Sequence, residues 1–436
     1  MSEPHDIPWK TLSTPLGDVP LFVVEFDERG ECTSPTALER LLKQKQKTDF
    51  FLFSHGWNND WRAATERYDR FINRFIEVQR ARWNPPSRAF QPVCVGVFWP
   101  SAALTAPWEQ GPAIAGETGP VGLDDPDVVA LADALEPRAR ARFLAIASDP
   151  DAGEGDAAEL AEILAPLLAG EEDEVAPGSH AASPGDLLET WRSASAGTED
   201  PERAPGGFID DDVPAAGGTA PEAAGWDPFS LIRDGIRLTT VLLMKDRSGR
   251  VGGNGVGRML RDIVSEFPDA RISLAGHSYG AKVMLSALCN GPVPGRTVDS
   301  VLLLQPAMSC YAFTADLDGH VGGYRSALDR VREPIVTTYS RHDVPLRWFF
   351  QRVVRRKSDL AEAVIAGQAP SRFAALGGFG PQGVDAEWIE MPAAGEPYPL
   401  TVDDRIIAVD GTRFISGHGA VETPETAWAL LSQVRG

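Results

Sequence analysis

The sequence predicts an α/β chain: a mostly parallel sheet flanked by helices and interrupted by one large acidic insertion. Three features carry that expectation. Outside residues 101–230, β-branched and aromatic runs alternate with helix-periodic stretches, and strands joined by crossover helices build a parallel sheet covered on both faces. The acidic charge is confined to one segment. One strand-to-helix corner reads Gly276-His277-Ser278-Tyr279-Gly280, a turn that can set a hydroxyl clear of its neighbours.

The elements follow in order. "DVPLFVVEFD" (18–27) reads as an early strand, and "SPTALERLLKQKQ" (34–46) as an amphipathic helix. "TDFFLFSHGW" (48–57) is a short apolar strand that ends at Ser-His-Gly. In "RAATERYDRFINRFIEVQRA" (62–81), Tyr68, Phe71, Ile72, Phe75 and Ile76 recur at helical spacing, so one face is buried. "PVCVGVFWP" (92–100) is a strand stopped by a proline. After the insertion come a helical stretch at 227–244, a glycine-rich break at 247–257 with a second helical series after it, and the strand "RISLAGHS" (271–278). A helix at 280–290, strands at 298–307, 334–343 and 405–415, and a closing helix at 424–434 complete the alternation.

The chain of 436 residues suits one large α/β domain with an insertion. Its net charge of −21 is localised: residues 101–230 hold 27 Asp/Glu against 5 Arg and no Lys, and the remainder carries +1. A segment so acidic argues against nucleic acid and anionic membranes as partners. No apolar run is long enough to span a bilayer. The opening "MSEPHDIPWK" lacks the basic and apolar regions of an export signal. Cys32, Cys94, Cys289 and Cys310 are scattered without paired spacing, so free thiols in a cytoplasmic, reducing setting are expected. The seven histidines form no His/Cys cluster, so a metal site is not expected.

The expected division is a core of 1–100 and 227–436 with an insertion of 101–226. Residues 122–170 carry two helical patterns, 126–147 and 156–170, that could form a cap near Ser278. Residues 171–226 are rich in Gly, Ala, Pro and acidic residues, which predicts disorder over much of that stretch. The ends of the insertion are expected to lie close together.

A serine hydroxyl needs a base to take its proton, and an acyl-transfer intermediate needs donors aimed at its oxyanion. Ser278 at the corner is the candidate nucleophile. The Tyr279 amide, at the start of the following helix, is one candidate donor. The Trp57 amide, in the turn after "FFLFSHG", is the other. His55 in that turn is expected to brace the loop. "GRVGGNGVG" (249–257) lacks the strict spacing of a dinucleotide loop and is read as a flexible helix entry. "QRVVRRKSD" (351–359) is read as a solvated basic face, or as a dock for the insertion.

These pieces resemble the α/β-hydrolase superfamily of serine esterases, lipases and related enzymes. The resemblance rests on "FLFSHGWN" after the third strand, "LAGHSYGAKV" at the corner, and the chain order Ser…Asp…His, over roughly 20–100 and 227–436. It implies an α/β-hydrolase fold with an acid after the sixth or seventh strand and a histidine after the eighth. Asp343, at the end of an apolar strand 65 residues beyond Ser278, is then the expected acid, with Asp316 or Asp318 as rivals one strand earlier. Asp410 is read as a turn residue. His418, between Gly417 and Gly419 after the last strand, is the expected base. His342 comes too early in the chain, and the His277 side chain is expected to turn away. The implied activity is cofactor-free hydrolysis of a small-molecule or lipid carboxylic ester. A lipase or phospholipase with the insertion as lid, and a catalytically silent scaffold that binds a partner, stand as alternatives.

Overall fold

The computed structural model describes residues 8–14, 17–57, 59–82, 84, 88–101, 122–123, 125–168, 183–196, 228–291, 293–349, 370, 374–401 and 403–434. Nine strands form one sheet: β1 (Lys10–Thr14), β2 (Gly17–Glu25), β3 (Asp49–Ser54), β4 (Pro92–Phe98), β5 (Arg271–His277), β6 (Ser300–Leu304), β7 (Ile335–Tyr339), β8 (Glu387–Glu390) and β9 (Ile406–Asp410). Their order is β1-β2-β4-β3-β5-β6-β7-β9-β8. Only β1 runs antiparallel to its neighbour. The middle strands are almost wholly buried, as "DFFLFS" in β3 and "SVLLL" in β6 illustrate, because helices cover both faces.

On one face, α2 (Trp61–Arg82) and α10 (Pro424–Ser432) pack Tyr68, Phe71, Ile72, Phe75 and Leu430 against Phe51, Phe53 and Cys94. On the other lie α1 (Pro35–Leu42), α7 (Pro228–Arg250), α8 (Gly257–Glu266) and α9 (Tyr279–Cys289). Two strands escaped the sequence reading. In β1, "KTLST" buries one residue, and in β8, "EWIE" alternates between half-buried and exposed. Both are edge strands that need little apolar surface.

The glycine-rich stretch does not break the helix. α7 passes through a turn of π-helix at Val251–Val256 straight into α8. Its glycines serve close approach. A Cβ on Gly252 would stand 2.4 Å from the Val283 carbonyl oxygen of α9, and one on Gly255 2.6 Å from that of Gly30. The tight helix contacts offset the glycines' poor helix propensity.

The insertion contributes α3 (Pro126–Ala134), α4 (Pro137–Ala147), α5 (Glu154–Leu164) with a 3-10 turn at Ala165–Leu168, and α6 (Pro184–Ala196). The pattern over 126–147 divides before Pro137, which opens the second helix at the position where a missing N–H costs nothing. Within 171–226, where composition predicts disorder over much of the stretch, residues 184–196 form α6. Ser183 caps that helix by accepting from the Asp186 N–H at 3.1 Å. Its Leu187 and Trp191 are buried, with the indole against Gly235 of α7. Leu187, Leu188 and Trp191 in a polar background were too sparse a signal for composition to register. The rest of 171–226, the basic run 351–359 and the segments that lead into and out of the insertion lie outside the described residues. The side chains of α3–α6 join the same apolar cluster as the sheet face under α7, so these helices are built onto the core. No helix of the described residues is long and apolar enough to cross a membrane.

Candidate active site

Ser278 occupies the corner between β5 and α9 with φ 55° and ψ −124°, a region that costs a non-glycine residue on the order of 1–3 kcal/mol. The flanking glycines make the corner possible. A Cβ on Gly276 would lie 2.4 Å from the Gly280 carbonyl oxygen. One on Gly280 would lie 2.3 Å from the Ser54 oxygen and 2.4 Å from that of His55. The chain turns so sharply that β3, β5 and α9 meet without room for a methyl group.

The turn after β3 lies against this corner, with a Cβ on Gly56 falling 2.7 Å from the Ser278 Cβ. His55 braces the turn: Nδ1 donates to the Gly56 carbonyl at 2.7 Å, Nε2 accepts from the Trp99 N–H at 3.3 Å, and the rings of His55 and Trp99 stack. Burial pushes its pKa down to about 4, so the ring is neutral. Trp57 follows, with its ring 6.1 Å from that of Tyr279 and its carbonyl held by the Asn59 side chain. The Tyr279 hydroxyl reaches the Val241 carbonyl of α7 at 3.3 Å.

His418 arrives from the loop after β9, and its Nε2 stands 2.9 Å from the Ser278 Oγ. Its Nδ1 stands 2.8 Å from Oδ2 of Asp343, which follows β7 and is fully buried. The parallel order β5-β6-β7-β9 brings residues separated by 65 and 75 positions to one carboxyl edge. Three donors converge on the carboxylate: His418 Nδ1, Gln305 Nε2 at 2.8 Å, and the Leu346 N–H at 3.0 Å on Oδ1. With Nδ1–H donating to Asp343, Nε2 is left to accept from the serine.

The rival acids Asp316 and Asp318 serve turns, and so does Asp410. Asp316 Oδ1 accepts from the Gly319 N–H at 2.7 Å, Asp318 has φ 54°, and Asp410 Oδ1 accepts from the Thr412 N–H at 2.9 Å. His342 is exposed. Comparison with known proteins finds no matching family model, no matching curated protein and no matching solved structure.

One residue of the site went unread in the sequence, and one was expected elsewhere. Gln305, fully buried at the end of β6 with φ 44°, donates to Asp343 and to the Gly377 carbonyl and accepts from Thr338 Oγ1 at 3.0 Å. His277 does not turn away, since its Nε2 lies 2.8 Å from the His418 carbonyl oxygen. A polar residue closing an apolar strand was the available signal, because buried polar groups need partners.

A cavity of about 1000 Å³ opens between α3–α4 and the carboxyl end of β4, with Trp61, Phe98, Ser101, Val129 and Arg247 in its walls. Its walls contain none of Ser278, Asp343 or His418.

Proposed function

We propose that this protein is a serine hydrolase of the α/β-hydrolase type that cleaves a carboxylic ester. The observation that carries the reading is the unbroken hydrogen-bond chain Asp343–His418–Ser278 ending at a hydroxyl on a positive-φ corner. The sheet order supports the fold reading, with nucleophile, acid and base after β5, β7 and β9. The extra edge strand β8 moves the base from the eighth strand to the ninth.

In the reaction, His418 Nε2 takes the Ser278 proton while Oγ attacks the acyl carbon. Asp343 steadies the imidazolium, and the amides of Trp57 and Tyr279 hold the oxyanion. His418 then protonates the departing alcohol. Water repeats the sequence on the acyl-enzyme and releases the carboxylic acid, and no step calls for a cofactor. In the described insertion helices, Leu131, Leu160 and Leu164 are fully buried and Val129 is the large apolar side chain left exposed, which favours a small ester over a lipid presented to an apolar lid. Four cysteines without disulfides support a cytoplasmic setting.

A p-nitrophenyl ester series of increasing chain length tests the reading. Ser278→Ala is expected to lower kcat on the order of 10⁴-fold or more with an unchanged melting temperature. Hydrolysis that survives in the folded variant refutes it.

A further inference from the structure

The stretch 417–419 that carries His418 has little packing of its own between the buried anchors Ile415 and Val421. A Cβ on Gly417 would meet nothing within 4 Å, and one on Gly419 only the tip of Arg67 at 3.8 Å. Glycine flanks leave the backbone many alternatives, so ordering the loop costs entropy. The Ala420 N–H bonds the Gly417 carbonyl at 3.1 Å within the loop itself. From outside, the His277 imidazole meets the backbone carbonyl of His418 at 2.8 Å. His277 is rooted in β5, one residue before Ser278, and is 8% exposed.

The identity of the proton follows from the neighbours. Arg67 of α2 places Nη1 3.5 Å from His277 Nδ1. A guanidinium only donates, so Nδ1 must accept and the ring proton must sit on Nε2, facing the His418 carbonyl. Glu422 in turn holds Arg67 Nε at 3.5 Å and Arg70 Nε at 2.5 Å. The charged and titratable groups facing His277 are Arg67 from α2, His418 from the base loop and His55 from the turn after β3. Burial first, then the charges of His418 and Arg67, hold its pKa well below 6.5. The ring therefore stays neutral and does not oppose positive charge on His418, whose ring centroid is 5.0 Å away.

We propose that His277 is a positioning residue. Its Nε2–H grips the His418 carbonyl, ties the base loop to the strand that carries the nucleophile, and so fixes the distance from His418 Nε2 to Ser278 Oγ. The kinetic consequence rests on the reading of His418 as general base.

Two variants separate the hydrogen bond from simple space-filling. His277→Leu removes the donor, whereas His277→Gln keeps an N–H the same number of bonds from Cα. His277→Leu is expected to lower kcat on the order of 10²-fold, with KM nearly unchanged. The rate of fluorophosphonate labelling at Ser278 should fall in parallel, and His277→Gln should restore most of both. With ¹⁵N-histidine labelling, wild-type His277 should appear as the neutral Nε2–H tautomer. The low-field Nδ1 proton that His418 shares with Asp343 should be lost in His277→Leu and return in His277→Gln. Equal loss in both variants, an undiminished kcat in His277→Leu, or an Nδ1–H tautomer overturns the proposal. If wild-type Ser278 does not label, the hydrolase reading fails, while the tautomer and the low-field proton still decide whether His277 holds His418.

Discussion

Replacing Asp343 by asparagine changes one atom at the buried end of the relay, and the surrounding donors determine the outcome. Oδ1 accepts from the Leu346 N–H, and Oδ2 accepts from both His418 Nδ1 and Gln305 Nε2. An amide offers one oxygen and one NH₂, so one of these places must receive a donor facing a donor. With the oxygen toward Leu346, the NH₂ faces His418 and favours the tautomer whose proton sits on Nε2. That proton blocks transfer from Ser278, which stands 2.9 Å away. With the amide flipped, His418 is satisfied but the Leu346 N–H is left against an NH₂, at a cost of about 1–3 kcal/mol. With the oxygen toward Leu346 the NH₂ also faces the Gln305 amide donor, so each arrangement leaves one donor against a donor and both remain accessible at a penalty. The expected loss in kcat is about 10²–10⁴-fold, or roughly 3–5 kcal/mol of transition-state stabilisation. Steady-state hydrolysis of an activated ester measures it, with circular dichroism to show that the fold is intact. The reasoning is refuted if Asp343→Asn retains full activity, or if Asp316→Asn or Asp318→Asn is the more damaging change.

Two further predictions concern the scaffold. Gly280→Ala would drive a methyl group into the Ser54 and His55 carbonyl oxygens at 2.3 and 2.4 Å, so it should lose about 3 kcal/mol or more. Gly295→Ala, where a Cβ meets nothing within 4 Å, should stay near wild type; equal denaturant midpoints for the two would contradict the packing. Asp127 of α3 is buried beside Asp125, and burial first, then that neighbouring carboxylate, raise its pKa from 3.8 to about 8 despite Arg237 and Thr240. The folded state therefore keeps a proton that the unfolded state has released, and stability falls as pH rises from about 4 to about 8. Asp127→Asn should flatten that slope and add on the order of a few kcal/mol at pH 8; an unchanged slope in thermal melts across this range would count against it.

The legible parts of the chain were those in which one local pattern dictates one outcome. Five apolar residues at helical spacing marked α2, and a short, largely apolar run before a glycine-bracketed serine marked β5 and its corner. What stayed hidden depends on contacts between distant segments. The glycines at 252 and 255 look like helix breakers until α9 and the loop after β2 are seen pressed against them. Gln305 acquires its role only because β6 and β7 are neighbours, which puts its side chain between Thr338 and Asp343. His277 is defined by a loop 141 residues away. Helix α6 depends on a surface of α7 that its own sparse apolar residues cannot announce.

The most direct test of the account is covalent. Incubating the intact protein with a fluorophosphonate and mapping the adduct by peptide mass spectrometry asks whether Ser278 Oγ is activated by His418. The account predicts stoichiometric modification of Ser278, with labelling abolished in Ser278→Ala and slowed on the order of 10²-fold or more in His418→Ala. Modification of another residue, or labelling of Ser278 at the same rate without His418, would contradict it.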